Sequence, residues 1–333
     1  MDRKIEIGWA CEHEQFQPEI LLEHGVAAEK AGFDFVWVSD HFHPFAHTNA
    51  AGGFAWSSLT ALAERTIRIS VGTSVTCPSF RYHPAIVAQA FATMDRFYPG
   101  RIHLGVGTGE PLNETPLGFD WPPISVRIER LREAVKVIRK LWTGDRVTFN
   151  GKFWKLKRAK LYSPPFKTIP IYVAAGGPKM AEFAGELGDG IICTPTQHTT
   201  LYDNLFPAFE RGAKKAGKDP ATLERAAEVW VSYDEDYDKA LKSTRFWAGA
   251  LLPFVFTHAV GDPEEIERYG SFVGDEQMKD HWCIGPDIDE HISLMRRSIN
   301  AGFNKIYIVC SSPDMKKTIS VFGKEVLPAL RNS

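Results

Sequence analysis

The chain has 333 residues, 39 Lys+Arg against 41 Asp+Glu, and a formal net charge of −2. That balance, with a pI near 6.6, argues against a nucleic-acid partner, which calls for a strongly basic face. Apolar residues at 44% and charged residues at 24% give the mix of a globular chain rather than a disordered one.

No run approaches the roughly 20 apolar residues that cross a bilayer. The charged start MDRKIEIGWACEHEQF lacks a signal-peptide pattern, so a cytoplasmic protein without membrane contact is expected. Cys11, Cys77, Cys193, Cys283 and Cys310 are widely spaced and form no CxxC pair. They read as free thiols in a reducing compartment, not as a disulfide framework or a zinc site. No metal is expected.

Short β-rich runs alternate with helical periodicity from one end to the other. Residues 5–11 read as a strand, 18–31 as a helix opened by Pro18 and stopped by Gly32, and 33–40 as the second strand. A helix at 59–65 leads to strand three at 67–75. Pro84 opens a helix whose Val87, Ala90, Phe91, Met94 and Phe97 share one face, and strand four spans 102–107. The helix 125–142 follows. Residues 143–168 break the rhythm and read as an insertion, because Phe149, Phe153 and Trp154 want burial. Strand five (169–175), a helix (178–187), strand six (190–194), a helix (201–216) and strand seven (227–233) resume the alternation. A looser region of short helices covers 246–288. A helix at 289–301, strand eight at 305–310 and a helix at 315–330 close the chain. Eight strands with intervening helices fit a (β/α)8 TIM barrel with insertion segments, as a single domain over 1–333, better than an open doubly wound sheet.

In such barrels chemistry sits at the C-terminal strand ends. Strand two exits into Ser39-Asp40-His41-Phe42-His43-Pro44-Phe45. Asp40 and His41 are either an acid–base pair, histidine being apt near neutral pH, or a capping aspartate and a surface imidazole. His43 and His47 read as loop residues. Strand three exits into Gly72-Thr73-Ser74-Val75-Thr76-Cys77-Pro78, small enough for a flat ligand to approach the backbone or simply a strand-to-loop exit. Strand four exits into Gly105-Val106-Gly107-Thr108-Gly109-Glu110. Its spacing is not GxGxxG, which removes the Rossmann reading. Glu110 is a candidate proton relay or a surface turn residue. Strand five runs into Ala174-Ala175-Gly176-Gly177-Pro178-Lys179-Met180, an anion site at a helix N-terminus or a tight βα turn.

Taken together, VSDHFHP (38–44), GTSVTCPSFRYHPAIVAQAFATM (72–94), YPGRIHLGVGTGEPLNE (98–114), LREAVKVIRKLWTGDRVTFNG (131–151), AAGGP (174–178) and GDGIICT (188–194) resemble the bacterial-luciferase-like barrels that bind coenzyme F420, a deazaflavin. The resemblance covers essentially the whole chain. It is closest to the F420-dependent secondary alcohol dehydrogenases, through TCP (76–78), FWAGALLP (246–253) and VCSSPD (309–314), and next to the F420-dependent glucose-6-phosphate dehydrogenases. The sugar-phosphate enzymes hold phosphate with two lysines and an arginine. The matching positions here are Gln197, Thr257 and His281, which speaks against a phosphorylated substrate.

The resemblance implies hydride transfer between a carbinol carbon and the deazaflavin C5. It makes His41 the base, Glu110 the group managing a proton on the far side, and Asp40 a cofactor contact that orients His41. It implies cofactor contacts at Asp40, Ser74, Val75, Cys77, Thr108, Gly109, Glu110, Asn113, Ala175, Gly176, Gly177, Pro178, Lys179 and Met180, and a non-prolyl cis bond between Ser74 and Val75. Phe45, where relatives carry tryptophan, Thr194 and Trp230 are the substrate-side candidates. The expected partner is a small alcohol or ketone, and a homodimer is implied. The rivals are an F420-dependent enzyme for a sugar phosphate, hydroxylated lipid or pterin carrier, an FMN-dependent monooxygenase, and a barrel whose catalysis has lapsed.

Overall fold

The computed structural model describes residues 4–194 and 202–331. Its strands are β1 (Glu6–Cys11), β2 (Phe35–Val38), β3 (Ser70–Thr73), β4 (Ile102–Val106), β5 (Val147–Asn150), β6 (Lys155–Ala159), β7 (Ile171–Ala174), β8 (Gly190–Cys193), β9 (Glu224–Ser232), β10 (Trp282–Ile284) and β11 (Lys305–Cys310). Eight of them pair in parallel in the order β11-β1-β2-β3-β4-β7-β8-β9, and β9 returns to β11. The sheet is therefore closed, and the (β/α)8 barrel expected from the sequence is the fold. β10 pairs in parallel with the C-terminal end of β9, Trp282 beside Trp230. β5 and β6 form a separate antiparallel hairpin, the insertion at 143–168.

Closure explains the strand composition. Each barrel strand is covered by helices outside and by side chains within, so β2, β4, β8 and β11 are buried along their whole length. Alternation then divides the residues. Val36 and Val38 pack outward against the helices, whereas Phe35 and Trp37 fill the lumen with Tyr172 and Tyr307. Trp37 lies 5.1 Å from Tyr307 and 5.2 Å from Tyr172 by ring centroid. This aromatic plug closes the barrel below its mouth.

The helix Pro18–Ala31 begins with Pro18 and ends on Gly32 at φ 100°, a left-handed cap that favours glycine. The helix Pro84–Phe97 also begins with proline, and its His83 ring accepts from the Ala85 N–H. The region 246–288 is more ordered than its sequence indicates. Helices Pro253–Thr257, Pro263–Gly270 and Asp275–His281 fold with the 3-10 turn Arg245–Leu251 over one side of the mouth, bringing Trp247 and Phe256 onto Phe45. The closing helix is broken by a π turn at Phe322–Val326.

Candidate active site

His41 occupies the centre of the mouth, just beyond β2. Its Nδ1–H donates to Glu14 Oε1, and its Nε2 lies 3.0 Å from Glu110 Oε2. Glu14 belongs to the turn leaving β1, and its side chain is 1% exposed, whereas that of Glu110, beyond β4, is 30% exposed. The inner carboxylate is thus fixed and the outer one reachable. Glu14 is itself held: the Ser39 hydroxyl donates to its Oε2 at 2.8 Å, and the His13 N–H donates to Ser39 Oγ at 2.8 Å. Behind them the His13 ring meets Ser58 Oγ at 2.8 Å. Burial alone would lower the His41 pKa, but Glu110 and Glu14 outweigh it and hold the imidazole well above its ordinary value.

Asp40 does not meet the His41 ring that it was expected to orient; its carboxylate is held from another side. Its Oδ2 accepts from Thr76 Oγ1 at 2.6 Å, and its Oδ1 accepts from Arg81 Nη2 at 2.9 Å and from Tyr82 OH at 3.0 Å. Every one of these partners lies on the β3 side. Orientation of His41 falls to Glu14, which the sequence reading passed over. A signal was available, because Glu12-His13-Glu14 directly follows strand one, at the barrel end where strands two to five were searched.

Two further carboxyls sit deeper. Tyr307 OH donates to Glu12 Oε1 at 3.0 Å, and Trp230 Nε1–H donates to Glu228 Oε1 at 2.6 Å. Burial and neighbouring glutamates raise the pKa of both groups, Glu12 strongly. Thr194, exposed on the rim, hydrogen-bonds Glu228. The remaining wall is aromatic. Phe45 meets His41 edge-on at 5.3 Å and Trp247 at 5.9 Å, and Trp247 lies 6.2 Å from Trp230. Trp247 Nε1 is buried without a hydrogen-bond partner among the described residues. Phe45 thus touches the His41 ring, and Trp247 links it to Trp230.

The residues expected around a cofactor gather on the β3, β4 and β7 ends. The Ser74–Val75 bond is cis. Val75 packs where glycines leave room: a Cβ on Gly107 would stand 2.6 Å from Val75 Cγ2, and one on Gly105 only 2.0 Å from Thr73 O. Gly109 adopts φ 84° against Cys77. The Cys77 thiol is pushed up to about 12 by burial first and Glu114 second, an inert state. Asn113 Oδ1 accepts from the Phe42 N–H at 2.7 Å, which ties the β2 and β4 loops together. Thr108 and Glu110 border the same opening. Beyond β7, Gly176 and Gly177 face open space, and Gly177 precedes the helix Pro178–Leu187, which has no side-chain cap. Lys179 is exposed there, while Ala175 and Met180 are buried. These are features of a cradle for a flat ring with an anionic tail, so the residues present fit a deazaflavin cofactor.

Of the positions aligned with phosphate cations, Thr257 is exposed and bonded to the Pro253 and Phe254 carbonyls, and His281 is bonded to the Gln277 carbonyl. Gln197 lies outside the described residues. His43 and His47 serve loop contacts, with Gly261 and Glu267. Among the described residues no cluster of metal-ligating side chains is found, and no helix is long and apolar enough to cross a membrane.

The family model of luciferase-like monooxygenases matches residues 5–305. The chain belongs to that family. An F420-dependent glucose-6-phosphate dehydrogenase of Rhodococcus jostii is 45% identical over 330 residues, covering 98% of each chain. Its counterpart in Mycolicibacterium gilvum is 43% identical over 331 residues, again 98% of each. An F420-dependent secondary alcohol dehydrogenase, solved in complex with an F420-acetone adduct, superposes with a TM-score of 0.95 at 42% identity, covering 98% of this chain and 99% of that one. An F420-dependent tetrahydromethanopterin reductase from Methanopyrus kandleri follows at TM-score 0.81 and 25% identity, with the same coverage. Whole-chain identity thus slightly favours the sugar-phosphate enzymes over the alcohol enzyme that the motifs brought nearer, and a gap of this size does not choose a substrate.

Proposed function

We propose that the protein is a coenzyme F420-dependent oxidoreductase that moves a hydride between a non-phosphorylated secondary alcohol, or its ketone, and the deazaflavin. What carries this reading is the company His41 keeps. The charges acting most strongly on it are those of Glu110 and Glu14, and it rests edge-on against Phe45, the first ring of an aromatic row that continues through Trp247 to Trp230. A phosphate dianion placed there would meet like charge and apolar rings. A small uncharged carbinol would not.

Bound F420 would supply C5 as the hydride acceptor or donor. Residues 74–77, 108–113 and 175–180 would hold it, with the Val75 side chain against the ring. The chain's own part is proton management. Glu14 fixes Nδ1–H, so Nε2 is the nitrogen presented to the substrate oxygen. In the oxidative direction a neutral Nε2 accepts the hydroxyl proton; in reduction the imidazolium returns it to the carbonyl oxygen. Glu14 and Glu110 both stabilise the charged ring. The raised pKa therefore favours proton donation near neutral pH and makes alcohol oxidation accelerate as pH rises.

Turnover with F420 should be measured on propan-2-ol, butan-2-ol, cyclohexanol and glucose 6-phosphate. The reading expects kcat/KM for the best alcohol to exceed that for glucose 6-phosphate by about tenfold or more. A sugar phosphate that outperforms every alcohol would overturn it, and the 45% identity to the Rhodococcus jostii enzyme makes that the arm to run first.

A further inference from the structure

Arg127 lies in the first turns of the helix Ile124–Trp142, on the β3–β4 side of the mouth. It is 8% exposed, yet among the described residues its guanidinium makes no ion pair, and its Nε is buried with no hydrogen-bond partner. The group is stacked 3.9 Å above the Trp121 ring, and the acidic groups within its electrostatic reach are Cys77 and Glu110. One turn on, Arg130 is stacked 4.6 Å from the Phe80 ring, and among the described residues its Nε and Nη2 donate only to the Ser79 carbonyl. Trp121 and Phe80 touch at 6.0 Å, so the two guanidiniums sit on adjoining aromatic platforms. Arg81 shows what a satisfied arginine looks like here, paired with both Asp40 and Glu114. A buried cation without a counter-charge is expensive. Rigid stacking holds the two groups ready for an anion rather than letting them turn to water.

We infer that Arg127, assisted by Arg130, forms a binding site for the anionic tail of the deazaflavin cofactor, its phosphodiester or carboxylate groups. The site adjoins Cys77 and Gly109, on the cofactor side of His41, and is separate from the Phe45–Trp247–Trp230 wall that faces the substrate. It is also distinct from the glycine turn at 175–180, which follows the neighbouring strand β7. Guanidiniums suit both anions, because their paired N–H groups match two oxygens at once.

The inference rests on F420 being the cofactor, which wild-type binding tests by itself, and it needs no substrate. Fluorescence titration gives the Kd of wild-type protein, Arg127→Met and Arg127→Met/Arg130→Met for three probes. These are F420 with its oligoglutamate tail, F420 without glutamates, and the tail-less deazaflavin riboside. Loss of one charge-assisted contact should raise the Kd for intact F420 by about tenfold, and the double variant should raise it further. The riboside should move by less than about threefold, and added KCl should weaken F420 binding less in the variants than in wild type. If the effect persists without glutamates, the phosphodiester is the group held; if it vanishes, the carboxylates are. Equal weakening of riboside and F420, or an unchanged F420 affinity, overturns the inference, as does an unchanged F420 affinity with weakened glucose 6-phosphate binding. Should Arg127→Met fail to fold, Arg127→Lys keeps the charge but loses the fork, and must weaken intact F420 selectively for the inference to stand.

Discussion

The two ends of the barrel bury charge in opposite ways. At the floor, Lys305 is 2% exposed and pairs with Glu6 and, at 3.0 Å, with Glu224. Tyr172 OH donates to Glu224 at 2.6 Å, and the ammonium lies 5.1 Å from the Phe35 ring. The ammonium there has its counter-charges. At the mouth, four glutamates crowd one histidine, and among the described residues Trp247 Nε1 and Arg127 Nε have no hydrogen-bond partners. A closed network stabilises a fold, whereas open valences on a rigid frame are left for ligands. The comparison assigns stability to the floor and chemistry to the mouth, and it can be broken at either end.

The largest effect is expected at His41. Replacing it with alanine should lower turnover by about 100-fold or more while leaving the cofactor Kd nearly intact, as read by steady-state kinetics beside fluorescence titration. Unchanged turnover would remove His41 from the base role. Next, Lys305→Met should lower stability by about 2–3 kcal/mol in urea unfolding, somewhat less than a fully buried pair loses because its carboxylates are partly exposed. Its kcat should change little. A variant that kept its stability but lost activity would erase the division between floor and mouth.

Glu110→Gln sharpens the electrostatics. Removing a negative charge beside an imidazole lowers its pKa, so the acid limb of the oxidation profile should move to lower pH. A shift upward, or none, would mean that this limb does not report His41. The smallest effect on activity is expected at Glu12, whose pKa burial, Glu14 and Glu228 raise well above the usual carboxyl range. A carboxyl whose folded pKa is raised loses stability as pH climbs above its unfolded value. Glu12→Gln should therefore leave kcat within about threefold, and its thermal midpoint should gain on wild type as pH rises from about 4.5 to 7. Glu14→Gln should show no such gain, because His41 holds that carboxylate below its usual range.

Particular elements show where sequence was enough. The helix Pro178–Leu187 matches its expected bounds because proline opens it and glycine closes it. The strand β11 likewise coincides with 305–310. The ends of β2 and β3 are shorter than expected: β2 stops at Val38 and β3 at Thr73, where Ser74 forms a bend. The strand β10 went unseen because three residues inside a helical stretch carry no period. His41, Glu110 and Phe45 were legible as strand-end residues, and they do meet. Glu14, Trp247 and Arg127 were passed over: Glu14 stands at a strand end that could have been searched, but its bond to His41, like the contacts of Trp247 with Phe45 and of Arg127 with Cys77, joins segments far apart in the chain.

By itself the sequence determined the strand–helix alternation, and hence the closed barrel, because periodicity, proline and glycine are local properties. It also determined which residues stand at the strand ends. Tertiary structure alone decided which carboxylate orients the imidazole, which carboxyls have their pKa raised and which arginine makes no ion pair among the described residues. Those outcomes depend on distance and burial between segments far apart in the chain, and electrostatic energy is set by that geometry, not by residue order.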